Sequence, residues 1–387
     1  MIAPVAPRLS LSVDGQFVVE ASPLRLWRKK NQAATLEILL PRKGTLSWFS
    51  PEKLFRQGSI IEMFYGEGAA SKRLFYGFLP STAADRNVSE SDGVTYQATD
   101  FLGQLNEYQV TLGSSASSYI DPVGYEIGAL IGAIAREAVD AQFQSNDFSV
   151  DGVWGTDYPQ QFVTEDNAIY GTMSAKKAID AYTELATSER LFYPLPPRPY
   201  EYCQVDAELV WRPTPLPFSH AQLANYEGRS YTPSPQPWIG APCPAATLTI
   251  GKDAVISGMV RTAAVYTDAI VEGKETRHAH EDRDSSRRWG GRRFYKQLKT
   301  ESSFADEAQS DAILEVETTK LERVSFSLEL FAFSPFHPGD LLLLFGGQDW
   351  GIPVGHYPIA ECEMMLHPTK TSVTVDTTMA LLTDYLA

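Results

Sequence analysis

Cysteine is nearly absent from this chain of 387 residues. Cys203, Cys243 and Cys362 are odd in number and far apart, and no C-x-x-C occurs. That spacing argues against a disulfide framework and against a zinc knuckle. Long apolar runs are missing too. The most apolar helical stretch, IGALIGAIAREAV at 127–139, is short and carries Arg136 and Glu137. A membrane-spanning helix needs about 20 apolar residues. The opening MIAPVAPRLSLSVDG has two early prolines and no long apolar core, so it reads as neither a secretory signal nor a membrane span. A soluble protein made in a cytoplasm is the expectation. Positive charge is in short supply: the net charge is -15. Such a surface repels phosphate, which argues against general nucleic-acid binding.

Catalytic signatures are absent as well. There is no G-x-S-x-G, H-E-x-x-H, P-loop or dinucleotide fingerprint. Nothing singles out a working pair among the 48 acidic residues. The chain reads as a non-enzyme, with no catalytic residue and no cofactor.

Short strands are what the sequence does contain. In RLSLSVDGQFVV, Leu9, Leu11 and Val13 alternate with polar residues, then Asp14-Gly15 turns into Phe17, Val18 and Val19. Asp-Gly between alternating runs is a hairpin signal. AATLEILLPRKG, GSIIEMFYGEG, RLFYGFLP and GVTYQATD extend the set to about residue 110. Such spacing suggests a barrel or sandwich. The period then changes. Ile127, Leu130, Ile131 and Ile134 fall on one helical face, with Asp121 as cap and Pro122 in the first turn. Gly128 and Gly132 suit close packing against a neighbour. A second helix begins near Ser174, with Ile179, Tyr182, Leu185 and Ala186 on its face.

Twelve of the 25 prolines lie in 194–244, so this stretch reads as an extended, partly rigid arm crossed by short strands such as AELVW. Strands return at 247–271. A charged loop covers 273–299, and a helix runs from a cap at Ser303 to Leu321. RVSFSLELFAFS, LLLLFGG, GHYPIAECEMML and KTSVTVDTTM complete a second strand set. The domains are therefore 1–112, first barrel; 113–245, a mixed helical middle with the arm at 194–244; and 246–387, second barrel with the charged loop and helix. The fold class is mainly β, with an α+β middle.

Three places draw attention as sites. His278 and His280 in HAHEDRD would share one face of a strand and could hold a divalent metal, but the polar surroundings favour a solvated loop. Residues 283–299 carry Arg283, Arg287, Arg288, Arg292, Arg293, Lys296 and Lys299 against Asp284 alone, with Trp289, Phe294 and Tyr295 interleaved. In an acidic chain that pattern fits docking on an acidic protein surface better than nucleic acid. The arm offers Trp238 as a further contact. Asp100, at the end of its strand, reads as a cap for the next turn.

The order of these elements resembles the baseplate or tail hub proteins of long-tailed bacteriophages, the late-control protein D family among them. The carrying residues are Gly58 to Tyr65; Phe75 and Gly77; Gln97 to Asp100 with Leu102 and Leu105; and Pro338-Gly339-Asp340 leading into Leu341 to Leu344. The resemblance implies two tail-tube-type β-barrels per chain. It implies a homotrimer forming a pseudo-sixfold ring between a hexameric tail tube and a threefold spike or tip. The expected partners are the chain itself, the tube protein, the spike or tip protein and peripheral baseplate proteins. The expected place is the distal end of the virion tail. Two other readings stay open. One is a tail enzyme acting on cell wall or glycan. The other is a glycan-binding β-protein with Trp211, Trp238 and Tyr231 as its platform.

Overall fold

The computed structural model describes residues 8–19, 21–40, 54–66, 71–80, 94–114, 120–140, 162–188, 200–213, 218–219, 245–262, 266–272, 277–283, 287, 295–299, 312, 316, 323–352, 354–366 and 369–376. β1 (Leu9–Val13) turns into β2 (Gln16–Phe17). Asp14 and Gly15 take φ of 49° and 77°, the hand of turn that matches strand twist. β3 (Ser22–Lys29), β4 (Thr35–Leu40), β5 (Ile60–Tyr65), β6 (Lys72–Phe78) and β7 (Val94–Asp100) follow. A 3-10 turn (Phe101–Gly103), α1 (Gln104–Glu107), β8 (Gln109–Leu112), α2 (Ile127–Asp140), β9 (Gly171–Ser174) and α3 (Ala175–Ser188) build the middle. Then come β10 (Tyr200–Val205), β11 (Glu208–Pro213), β12 (Phe218–Ser219), β13 (Ala246–Thr249), β14 (Ala254–Thr262), β15 (Asp268–Glu272), β16 (Arg277–Glu281) and β17 (Tyr295–Lys299). β18 (Arg323–Leu330), β19 (Leu341–Phe345), β20 (Gly355–Leu366) and β21 (Thr369–Asp376) close the chain order.

Inside–outside alternation places the strands as the sequence suggested. On β4, Leu36, Ile38 and Leu40 are buried; on β18, Phe326, Leu328 and Leu330 are. The two strand sets, however, are not separate among the described residues. One sheet runs β14-β18-β21-β20-β3-β4-β7-β6-β5-β1-β2, and no sheet closes on itself. The seam is the pairing of β20 with β3, from Glu361↔Lys29 to Met365↔Arg25. Leu26 and Leu36 of the first set therefore share one hydrophobic core with Leu328, Met364 and Val375 of the second. A second core lies between α2, α3 and the β10–β11 hairpin.

Several expectations need correction. β3 carried Arg25, Trp27, Arg28 and Lys29 and was not anticipated as a strand. α2 starts at Ile127, not at Pro122, because Asp121 Oδ1 accepts from the Val123 amide instead (3.1 Å). Gly124, at φ 84°, then turns the chain, and its amide donates to the Val163 carbonyl. The predicted face still holds: Ile127, Leu130, Ile131 and Ile134 are all buried, and Ser174 Oγ accepts from the Lys177 amide at the start of α3. Part of the arm is not an arm. Residues 200–213 form a hairpin with Tyr202, Leu209 and Trp211 in the second core. The charged loop contains β16 and β17, which flank β15 in a three-stranded sheet. Ala269 and Val271 of that sheet meet Ala312 and Val316, both helical, in a small core of their own.

Candidate functional site

Among the described residues, a dense set of buried polar groups lies where the strand sets and the β10–β11 hairpin meet. It begins at Asp100, 3% exposed. Asp100 Oδ1 accepts from the Leu102 amide (3.1 Å), capping the 3-10 turn, and Oδ2 accepts from the Ala34 amide (2.9 Å). Burial pushes its pKa up to about 7, against the pull of those amides and of Arg28. Gly77 lies directly across from Asp100. A Cβ there would overlap the Thr99 carbonyl oxygen and lie 2.8 Å from Asp100 Cα, so only glycine fits. The Phe75-x-Gly77 and Asp100-x-Leu102 pattern is thus one packing arrangement.

Arg28 sits on β3 opposite Cys362 of β20 and is 4% exposed. Its guanidinium donates to the Leu74 carbonyl on β6 and to the Phe336 carbonyl beyond β18 (2.7 Å). One side chain therefore bonds both strand sets. Burial lowers its pKa, while Cys362, Asp340 and Asp100 act to raise it.

The hairpin supplies the rest. Arg212 Nε bonds Glu201 Oε1 (3.1 Å), and Arg212 Nη2 donates to the Pro338 carbonyl (2.9 Å). Cys203 Sγ points at the same carbonyl at 3.9 Å. Gly339, at φ 83°, lies under this pair; a Cβ there would strike Arg212 Nη2 and Glu201 Oε1. The Pro338-Gly339-Asp340 turn holds itself as well, the His337 amide donating to Asp340 Oδ2 (2.8 Å). Gln204 Oε1 accepts from the Phe101 amide and its Nε2 donates to the Tyr76 carbonyl, both at 2.8 Å. Asn31 exchanges two 2.8 Å bonds with Tyr202.

This chemistry is that of a joint. Burial pushes the Cys203 and Cys362 thiols up to about 12, so both stay protonated. Burial, with Arg28 and Arg212 nearby, holds His337 well below the usual imidazole range, so it stays neutral. The charged and amide side chains bond mainly backbone groups from another part of the chain. Such contacts fix relative position, and a buried cation left without them costs several kcal/mol, about 3–5 for a broken buried pair.

The predicted sites fall elsewhere. His278 and His280 do share a face of β16, opposite Val271 and Ala269 of β15, and are half-buried beside the small core. Among the described residues no group of three or more side chains could hold a metal ion. Arg287 is exposed; Arg288, Trp289, Arg292, Arg293 and Trp238 lie outside the described residues. Trp211 cannot serve as a glycan platform. It is buried, stacked on Tyr200 at 4.3 Å, and donates to Thr183 Oγ1. The joint residues Arg28, Glu201, Gln204 and Arg212 were not anticipated. A signal existed in β3: Arg28 follows Leu26 in the inward phase, and a charge there calls for buried partners.

No family model and no curated protein matches the sequence. Solved structures do match the fold. A tail protein from Neisseria meningitidis MC58 aligns with a TM-score of 0.59 at 10% identity, over 96% of this chain and 96% of that one. The 43 kDa tail protein of prophage MuSo2 from Shewanella oneidensis aligns with 0.59 at 10% identity, over 97% and 100%. A chain of the lidded Francisella PdpA–VgrG complex aligns with 0.50 at 10% identity, over 97% of this chain and 53% of that one. At such identity the likeness is one of fold.

Proposed function

We propose that this chain is a structural hub of a phage tail or a related contractile injection particle. Three copies form a ring in which the two strand sets of each chain, 1–112 and 246–387, act as tube-type units around the middle region 113–245. The resulting pseudo-sixfold ring joins a hexameric tail tube to a threefold spike or tip. The observation that carries this reading is the likeness of fold to two tail proteins, one of them from a prophage, along nearly the whole of both chains. The joint supports it. A symmetry adaptor needs its two units held at a fixed angle, and Arg28 bonds both sets at once.

The likeness to a chain of the PdpA–VgrG complex supports a spike-type partner. The tube protein and peripheral baseplate proteins are the other partners, and Arg287, Arg288, Trp289, Arg292, Arg293 and Trp238 make contacts to them or to adjacent copies. The protein works without metal or cofactor, at the distal end of the virion tail, after assembly in the host cytoplasm. Particle imaging with copy counting tests the reading. Three copies per particle, at the end of the tube, is the expected result; two or four would overturn it.

A further inference from the structure

The large sheet has two ends. At one, β14 pairs with β18 along its length and has no strand partner on its other side among the described residues. Its inward side chains are incompletely covered. Leu328 and Phe326 are buried, yet Ile256 and Met259, directly opposite them, are only half-buried. On the outer face Val260 is 63% exposed. Residues 254–260, AVISGMV, carry no charge and no proline. Soluble proteins guard an edge strand with such residues; here a bulge between Ile256 and Gly258 is the main guard.

At the other end lies the β1–β2 hairpin. The Val18 amide donates to the Leu11 carbonyl (2.9 Å), so the backbone groups of Phe17 and Val19 face away from β1. Their side chains are 68% and 91% exposed. Among the described residues the sheet thus presents two unlike, open, apolar ends.

We propose that β14 of one copy pairs edge to edge with Gln16–Val19 of a second copy. The contact rests on the ring reading above. It joins two different patches, and repeated heterologous contacts close into rings when the rotation allows. The net charge of -15 opposes self-association. Gln16–Val19 carries no charge and β14 carries only Arg261, so the contact brings no like charges together.

Val260→Lys and Val19→Lys, made separately in the full chain, test this at exposed positions. Each should weaken self-association at least tenfold by sedimentation equilibrium, with unchanged circular dichroism. In a Cys243→Ser background, a short bis-maleimide should link Val260→Cys/Val19→Cys chains into a ladder of copies. Val260→Cys alone should give no links. A dimer from that single variant would mean that β14 meets β14, and would overturn the proposal. So would slow hydrogen exchange, in dilute monomer, of those 254–262 amides that face away from β18, because the chain itself would then cover the edge. Three-copy assembly at full strength in both lysine variants overturns the edge contact but leaves the hub reading standing. A wild-type chain that stays single even on the particle sinks both.

Discussion

The joint around Arg28 and the small sheet of β15, β16 and β17 are both β-structure, held by different means. At the joint, Arg28, Arg212 and Gln204 are tied to carbonyls of Leu74, Phe336, Pro338 and Tyr76, each in another segment. In the small sheet the buried core is Ala269, Val271, Ala312 and Val316, and Arg277 and Arg283 are exposed. Arg277 and Arg283 pair with Glu272 and Glu281 at 3.7 and 3.6 Å from exposed positions. Exposed pairs of this kind contribute about 0–1 kcal/mol. The small sheet also leaves and re-enters the large one at adjacent residues, Thr262↔Arg323. The difference separates what fixes the fold from what is carried on it.

Substitutions can sharpen that contrast. Arg28→Met should have the largest effect, because it strands two buried carbonyls, removes the cation near Asp100 and leaves Asp340 with Arg212 alone. A loss of about 3–5 kcal/mol is expected in denaturant melts. Gly339→Ala adds strain at positive φ and a clash with the Arg212–Glu201 pair, costing about 2–3 kcal/mol by the same measurement.

Asp100→Asn should cost about 1 kcal/mol at low pH, as for a lost cap. Its pH dependence carries a sign. The folded pKa lies near 7, above the ordinary 3.8, so the folded state holds the proton more tightly. The stabilisation from this group is complete below about pH 4 and is lost as pH rises to about 7. Between pH 4 and pH 7.5 wild type should therefore lose more stability relative to Asp100→Asn than the starting gap of about 1 kcal/mol, so the order of the two reverses; a gap that widens would show that Asp100 is held ionised.

The smallest effect should come from the small sheet. Replacing 263–322 by a two-residue turn should shift the main unfolding transition by less than about 1 kcal/mol, the range of a change away from the core. A loss comparable to that of Arg28→Met would erase the contrast.

Much of this was legible in the sequence. Alternation located β1, β4, β5, β6, β7, β18, β20 and β21, and the apolar face of α2 was read correctly, because period is a local property. The cap role of Asp100 followed from its place at a strand end. The joint was not legible as a joint. Arg28, Glu201, Gln204 and Arg212 look like surface residues until chain segments far apart are brought together. The β3–β20 seam was hidden for the same reason. β16 and β17 were missed because RHAHE and YKQLK are mostly polar and charged in sequence, as in a loop.

The β3–β20 seam also sets an order of events in synthesis. Trp27 Nε1 donates to Glu361 Oε1 at 2.7 Å across 334 residues of sequence. At about 5–20 residues per second, β3 waits for roughly 20 seconds to a minute on the ribosome before its partner exists. Throughout that wait the edge of β3 is open and Arg28 lacks the Phe336 carbonyl. The first strand set cannot finish before the second has been made, so the N-terminal half completes its fold only when the last strands arrive.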